Sequence, residues 1–265
     1  MAANSSETSS QLAWDKELND VPCVDPWGIA GAYSTIRVDG EPPRPLFLED
    51  HLARLADSLE RMGMASPVDR DQIGERIDSF SADRPLAAPY LLRVSVLEEG
   101  FQAEARSLPT IGPWIEGRLL PYVRPTPEAK SLDKLLYDQV SRLNRATEEA
   151  LLLAPDGGLG EGSTSNLIFA RGEVLVIPET NVLPGITLAK LLPELSARHT
   201  IERRAVHLTD LPEFTEILAT GSGKEVVAFA RIPEVGWNAR SEEILWTARD
   251  VYAEIKRTHL ASSDA

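Results

Sequence analysis

The chain has 265 residues, of which 43% are hydrophobic, 26% are charged and 6% are aromatic, and its formal net charge is −14. This apolar fraction excludes a disordered chain, and the length suits two domains of about 100–150 residues each. The acidic balance argues against a nucleic-acid partner, because phosphate backbones attract basic surfaces. No apolar run is long enough to cross a bilayer, and the single cysteine, Cys23, is typical of a reducing compartment, so we expect a cytoplasmic protein with no membrane partner.

The N-terminal part begins with a polar stretch. Residues 1–22 are rich in serine, which predicts a disordered leader. A glycine-rich turn after Trp27 then leads into a strand. Apolar residues at helical spacing predict a helix that Asp50 caps and Gly63 ends.

A linker follows the next predicted elements. A polar helix near residues 70–82 and a strand over residues 90–96 are expected first. Residues 107–116 then contain two prolines and a glycine, which is typical of a connection between domains. We therefore expect an N-terminal domain over residues 23–115 and a C-terminal domain over residues 116–265.

The second half alternates strands and helices. Helices are predicted over residues 131–147, 184–197 and 241–256. Strands are predicted over residues 118–123, 150–153, 165–171, 174–177, 201–206, 216–220 and 226–232. Strands and helices interleave in both halves without a regular βαβα rhythm, so we expect a two-domain α+β or α/β protein.

Several common chemistries have no support in the sequence. The four histidines are scattered and no HExxH or CxxC spacing occurs, so no metal site is expected. Gly221-Ser222-Gly223-Lys224-Glu225 fails as a P-loop, because Leu218 replaces the first glycine and Glu225 replaces the Ser or Thr. Gly158-Leu159-Gly160 lacks the third glycine of a dinucleotide fingerprint, and no GxSxG elbow is present.

The remaining candidates suit an anionic, electron-withdrawing cofactor. Gly185-Ile186-Thr187 stands at a predicted helix start, where backbone N–H groups and the helix dipole favour a phosphate. Gly221-Ser222-Gly223 is a second glycine-flanked hydroxyl that would let backbone N–H groups approach an anion. Arg54 flanks the apolar stripe of the first helix, and Lys130 follows a fixed Pro127-Glu128-Ala129 stretch.

Five segments occur in the order and at the approximate spacing of a known family. They are Leu48–Leu55, Lys130-Ser131-Leu132-Asp133, Gly160–Phe169, Leu183–Thr187 and Thr220–Glu225. Together they resemble the class IV aminotransferases, the fold-type IV pyridoxal-phosphate (PLP) enzymes. That group includes branched-chain and D-amino-acid aminotransferases and aminodeoxychorismate lyase. The resemblance covers roughly Trp27 to Trp246.

The resemblance implies a fold, a cofactor and partners. It implies a small N-terminal α/β domain, a larger C-terminal domain, PLP at the domain interface and a homodimer, with an amino donor and a keto acid as substrates. Lys130 matches the lysine that condenses with the cofactor aldehyde and later moves a proton. Glu161 matches the acid that pairs with the pyridine nitrogen and keeps the ring electron-accepting. The phosphate-binding positions fall on Arg54, Ile186, Thr187, Gly221 and Ser222.

Substrate contacts are less well matched. Tyr33 matches an aromatic residue at the entrance of the active site, and Arg106 is a candidate substitute for a missing substrate-binding arginine. Asn166 is expected to orient its turn through backbone hydrogen bonds. The sequence departs from the family where Ser34-Thr35 stand in place of a glutamate, where Leu188 replaces an arginine, and at Asp133.

Three functions remain open at this point. The prediction is a transaminase of amino-acid metabolism. Ser34-Thr35 keeps an aminodeoxychorismate lyase, which eliminates pyruvate with the same lysine, as the alternative. The second alternative is a catalytically silent homologue that acts as a binding protein. The missing arginines and Asp133 are the features that favour it.

Overall fold

The computed structural model describes residues 10–82 and 86–262. The chain forms two compact units. The first extends to Leu108 and includes Ala129–Leu132, and the second consists of Pro109–Glu128 and the chain from Asp133 onward. The division after Leu108 differs from the expected boundary at residue 115. Lys130 also belongs to the first unit and not, as expected, to the C-terminal domain.

The first unit is an antiparallel sheet with two helices. Its strands are β1 (Ser10–Asp15), β2 (Asp20–Val21), β3 (Gly31–Asp39), β4 (Arg44–Pro45), β5 (Tyr90–Leu97) and β6 (Gly100–Ser107). Its helices are α1 (Leu48–Arg61) and α2 (Arg70–Ala82). The strand order is β2-β1-β6-β5-β3-β4. Helix α1 packs on β3 with Leu52, Leu55 and Leu59, because these residues recur on one face of the helix.

Strand β1 lies in the stretch that was expected to be disordered. Residues 1–9 fall outside the described residues, but Ser10–Asp15 pairs along its whole length with β6. Trp14 is 3% exposed and stacks on Phe101 with the ring centroids 4.8 Å apart. The leader prediction therefore does not hold for residues 10–15, because burial of this tryptophan and a full ladder of backbone hydrogen bonds outweigh the polar composition.

The short segment Ala129–Leu132 adds to the edge of β3 that β5 leaves open. The N–H of Tyr33 donates to the carbonyl of Lys130 at 2.9 Å, and the N–H of Leu132 donates to the carbonyl of Gly31 at 3.2 Å. Gly31 has φ +159°, and a Cβ there would lie 2.4 Å from the carbonyl oxygen of Val96 on β5 and 3.1 Å from Cδ1 of Leu132, so only glycine fits between β5 and this segment. This pairing explains why Lys130 groups with the first unit.

The second unit is built on nine strands. They are β7 (Trp114–Pro121), β8 (Glu148–Leu153), β9 (Leu159–Gly162), β10 (Asn166–Arg171), β11 (Val174–Ile177), β12 (Thr200–Arg203), β13 (Glu216–Gly221), β14 (Glu225–Ile232) and β15 (Trp237–Asn238). Its α-helices are α3 (Lys134–Val140), α4 (Ile186–Ser196) and α5 (Glu243–Ser262), and two short 3-10 helices cover Leu208–Glu213 and Pro233–Val235. Helix α5 packs on β14 and α4.

Six of these strands form a closed ring. The order runs β10-β13-β14-β7-β8-β9, and a single pair, Asn166 with Glu161, joins β9 back to β10. Strands β11 and β12 extend from the rest of the same edge of β10. Closure leaves no unpaired edge at this point, and it places a predicted site residue at the junction.

Helix α3 is much shorter than the expected helix over residues 131–147. Residues 129–132 are held extended beside β3, so no helix can form before Asp133. Asp133 then caps α3 by accepting a hydrogen bond from the N–H of Leu136 at 3.2 Å. The aspartate that departs from the family pattern therefore has a structural role. Within the described part of the chain, no helix is both long and apolar enough to cross a membrane.

Candidate active site

Lys130 is held by its backbone on both sides. Its N–H donates to the Oγ of Ser58 on α1 at 3.1 Å, and its carbonyl accepts from Tyr33 on β3. The residue is only 8% exposed, and its Nζ lies 4.9 Å from the centre of the Tyr33 ring. The first unit thus fixes the root of the side chain and places the amine against an aromatic face.

Arg54 is positioned by a buried hydrogen-bond relay. Its NH2 group donates to the Oγ of Ser34 at 2.7 Å, and the same Oγ lies 2.7 Å from Nδ1 of His51. Arginine can only donate, so Ser34 accepts a hydrogen bond from Arg54 while its hydroxyl stays within hydrogen-bond distance of the His51 ring. Ser34 and His51 are 0% and 1% exposed, which keeps this arrangement away from water.

Tyr33 is connected through Trp27 to a second positively charged side chain on the same sheet, that of Arg93. Its ring packs edge-on against Trp27 with centroids 5.1 Å apart, and the Arg93 guanidinium lies 5.0 Å from the Trp27 ring. Arg93 also forms an ion pair with Glu104. The predicted Arg106 lies on β6 with its Nε 3.5 Å from Glu104, so its role toward a substrate stays a prediction.

Glu161 is buried at the ring closure of the second unit. Its Oε2 accepts from the N–H of Leu183 at 3.1 Å, and its Oε1 lies 3.1 Å from the Nε of Arg124 in an ion pair. The N–H of Arg124 does not point at that oxygen, so the contact is electrostatic and not a directed hydrogen bond. Arg124 also donates to the carbonyl of Ser163 at 3.2 Å. The negative charge of Glu161 is therefore balanced in the interior.

The start of α4 is a tight cradle. Gly185 precedes the helix and no side chain caps it, so the first N–H groups, including those of Ile186 and Thr187, lack partners within the helix. A Cβ on Gly185 would lie 1.6 Å from Oδ1 of Asn166. Asn166 itself donates from Nδ2 to the carbonyl of Leu183 at 2.7 Å, which confirms that it orients the backbone here.

The turn after β13 lies beside the same asparagine. Asn166 pairs with Thr220 in the sheet, and Gly221 follows directly. A Cβ on Gly221 would lie 2.9 Å from the carbonyl oxygen of Thr164, so the turn packs closely on its neighbour. Ser222 is partly exposed at the tip of this turn.

The predicted residues fall into two groups. In the first unit Tyr33 contacts Lys130, and Arg54 contacts Ser34, which follows Tyr33 on β3. In the second unit Asn166 pairs with Glu161 and with Thr220 and lies against Gly185, and the predicted residues Ile186, Thr187, Gly221 and Ser222 follow Gly185 and Thr220 directly. Their roles toward a cofactor stay predictions. Within the described residues, no cluster of three or more His, Cys, Asp or Glu side chains is arranged to hold a metal ion.

The residues that support these groups carry weak signals in the sequence. Ser58 follows Arg54 by four residues, so helical spacing could have placed both on one face of α1. His51 precedes Arg54 by three residues and shares that face. Arg124 stands six residues before Lys130 and carried no comparable signal, because its partner Glu161 is distant in the sequence.

Comparison with known proteins gives consistent matches. A family model described as amino-transferase class IV matches residues 31–232. Aminodeoxychorismate lyase of Bacillus subtilis is 26% identical over 226 residues, covering 75% of this chain and 77% of that protein. A branched-chain-amino-acid aminotransferase of Pseudomonas aeruginosa is 26% identical over 219 residues, covering 70% and 69%.

Solved structures share the fold at low identity. A hypothetical aminotransferase from Mycobacterium tuberculosis, in its PLP-bound form, gives a TM-score of 0.75 at 16% identity over 93% of this chain and 99% of that chain. A putative branched-chain aminotransferase from Thermotoga maritima gives 0.75 at 18% identity over 94% and 96%. These neighbours confirm the expected two-domain α+β fold.

Proposed function

The chain belongs to the class IV aminotransferase family, whose enzymes use PLP, and on that premise we propose that it is a transaminase that moves an amino group between an amino acid or amine and a keto acid. The observation that carries the proposal is Lys130. A buried amine with its backbone anchored on both sides and its Nζ against an aromatic ring suits covalent chemistry with an aldehyde.

The residues of the chain fit this cofactor. The start of α4 offers N–H groups that no capping side chain occupies, behind a glycine where any Cβ would strike Asn166. The turn at Gly221 is similarly closed to a side chain by the carbonyl of Thr164. Arg54 adds a guanidinium that suits an oxyanion. These groups would hold the phosphate, and the buried Glu161 would hold the pyridine nitrogen.

The chemistry divides between the cofactor and the protein. PLP supplies an aldehyde and a ring that accepts electrons from the substrate Cα. Lys130 would hold the aldehyde through Nζ and, as a free amine, would act as the base that takes the proton from the substrate Cα. Ser58 and Tyr33 fix the backbone of Lys130, so the start of its side chain is held in one place for this role.

Glu161 would make the bound ring a stronger electron acceptor. Its carboxylate would hold a proton on the pyridine nitrogen, and a protonated ring accepts electrons more readily. Arg124 and the N–H of Leu183 hold the Glu161 carboxylate in one orientation. The cost of burying this charge is reduced because both carboxylate oxygens have polar neighbours.

A lyase is the second candidate. Ser34-Thr35 and the match to the Bacillus subtilis lyase favour it. Ser34, however, contacts Arg54 and His51 in the buried interior. These contacts explain the presence of a serine at this position whichever reaction the protein catalyses. A lyase would release pyruvate without an amino acceptor, whereas a transaminase consumes a keto acid.

The first experiment locates the reactive lysine. The purified chain is incubated with PLP, reduced with borohydride and mapped by peptide mass spectrometry. We expect the pyridoxyl group on Lys130 and its loss in Lys130→Met. Lys134→Met is the matched control, because Lys134 is exposed and pairs with Asp138, and it should keep the label. A label on any other lysine contradicts the proposal.

The second experiment separates the reactions. Half-reactions with L-amino acids, D-amino acids and amines are followed by the cofactor spectrum, with and without a keto acid. Pyruvate release without an acceptor would identify the lyase. We also propose that the protein is cytoplasmic and that it forms a homodimer. Sedimentation equilibrium would test the oligomeric state.

A further inference from the structure

A buried ion pair lies next to the turn that carries Ser222. Lys224 on that turn forms an ion pair with Glu149 of β8, and the two side chains are 8% and 2% exposed. Neither residue belongs to the group predicted to bind the cofactor. An ion pair removed from water needs further hydrogen bonds to be tolerated, so its partners indicate what it holds in place.

The Glu149 carboxylate is fully bonded to the turn between β9 and β10. Its Oε1 accepts from Ser163 Oγ at 2.9 Å and from the N–H of Thr164 at 2.8 Å. Its Oε2 accepts from Thr164 Oγ1 at 2.9 Å and from Lys224. Burial raises the pKa of Glu149, but Lys224 and these hydrogen bonds outweigh burial, and the pKa lies below its ordinary value.

Lys224 connects this carboxylate to a second turn. Its Nζ donates to Thr164 Oγ1 at 2.9 Å, while Thr164 in turn donates to Glu149, so the three side chains form a closed network. One turn, residues 163–165, directly follows the strand of Glu161. The other, residues 222–224, contains Ser222. The ion pair therefore ties together two turns with different predicted roles.

The second turn needs such a tie. Glu225, directly after Lys224, has φ +56°, a left-handed conformation that a residue other than glycine rarely adopts. Glu225 forms an ion pair with Lys256 on α5, so charged contacts hold both residues at this end of the turn. Strained backbone of this kind persists only where its surroundings hold it.

We propose that Lys224 and Glu149 are positioning residues that fix the turn bearing Ser222 and so set the affinity for the cofactor phosphate. The inference rests on the proposed function, in which Ser222 and Gly221 bind that phosphate. The pair acts through the turn and not by contact with the reacting atoms. Its loss should therefore weaken the binding of PLP more than the binding of pyridoxal, which lacks the phosphate.

The test measures phosphate selectivity. The apoprotein is titrated with PLP and, separately, with pyridoxal. The dissociation constant of pyridoxal is divided by that of PLP, and this ratio is compared among variants. In Lys224→Met we expect this ratio to fall about tenfold, the equivalent of one lost charge-assisted hydrogen bond. Arg204→Met is the matched control, because Arg204 pairs with Asp210 in the same unit beyond the edge strand β12, and its ratio should stay unchanged.

The double variant Lys224→Met/Glu149→Gln separates positioning from general stability. Removing both charges of a buried pair often restores stability, so its melting temperature should recover relative to Lys224→Met. The selectivity ratio should stay low, because the tie between the turns is still absent. If Lys224→Met does not fold, the double variant and Glu149→Gln are compared with wild type in its place.

Two results would overturn the inference. They are an unchanged ratio in Lys224→Met, whether or not both ligands bind more weakly, and a ratio that recovers together with stability in the double variant. Failure of the proposed function looks different. In that case the wild-type chain itself forms no adduct at Lys130 with either ligand, or shows no preference for PLP.

Discussion

Replacing Gly185 with alanine adds one Cβ atom at the start of α4, where the structure leaves no room for it. That atom would lie 1.6 Å from Oδ1 and 2.6 Å from Cγ of Asn166. Gly185 has φ −88° and ψ 129°, which alanine adopts without strain, so the clash alone is tested. Asn166 can move only by giving up its hydrogen bond to the carbonyl of Leu183.

The expected magnitude combines three terms. Overpacking a close contact costs about 1–3 kcal/mol. The lost Asn166–Leu183 hydrogen bond adds about 1 kcal/mol, and the smaller entropy of alanine in the unfolded chain returns about 0.4–1 kcal/mol. We expect a net loss of about 1–3.5 kcal/mol, which lowers the melting temperature by roughly 2–14 °C in a protein of this size. Affinity for PLP should fall as well.

The assay compares denaturant unfolding and PLP titration of the variant with a matched control. Gly112→Ala serves as the control, because a Cβ at Gly112 meets nothing within 4 Å and Gly112 needs no left-handed backbone. It should be neutral or slightly stabilising. A Gly185→Ala protein that unfolds and binds PLP like Gly112→Ala refutes the reasoning.

A double-mutant cycle tests the named contact. Asn166→Ala removes the atoms that a Cβ on Gly185 would strike, so the loss from Gly185→Ala should be much smaller in that background. If the two losses simply add, a clash with Asn166 is not the cause of the loss in Gly185→Ala.

Two further predictions concern other parts of the chain. The folded-state pKa of Glu149 lies below its unfolded value because Lys224 and hydrogen bonds outweigh burial, so its contribution to stability is present above about pH 4.3 and is lost as pH falls through the folded pKa. Stability measured by denaturant from pH 7 to pH 3 should therefore fall more steeply for wild type than for Glu149→Gln, and parallel curves would contradict this. Trp14→Ala should lower the free energy of unfolding by about 3–5 kcal/mol, because Trp14 is buried against Phe101. Trp246→Ala, at an exposed position, should lower it by less than about 1 kcal/mol, and equal losses would contradict the placement of β1 in the folded core.

Sequence patterns were most informative where the chemistry is local. The start of α4 was predicted at Gly185-Ile186-Thr187 because proline, glycine and an apolar period lie within a few residues of one another. The turn at Gly221-Ser222-Gly223 was visible for the same reason. These features are determined by neighbouring residues, so they can be predicted without knowing which distant residues contact them.

The remaining features depend on contacts that are distant in the sequence. The helix expected from residue 131 fails because β3, about 100 residues earlier, holds residues 129–132 extended. The relay from Arg54 to Ser34 and the ion pair of Glu149 with Lys224 join residues on separate elements. Composition also misled at β1, because a serine-rich stretch conceals one tryptophan that finds a stacking partner on β6.

The detour of Ala129–Leu132 has a consequence for how the protein is made. The chain leaves its first unit after Leu108 and returns for only four residues before it leaves again. During synthesis the edge of β3 therefore lacks its neighbour until residue 132 has emerged from the ribosome, well after the rest of that unit is available to fold. A fragment ending at Leu108 would carry an open strand edge and no Lys130, so the reactive lysine arrives together with the last strand that its unit needs.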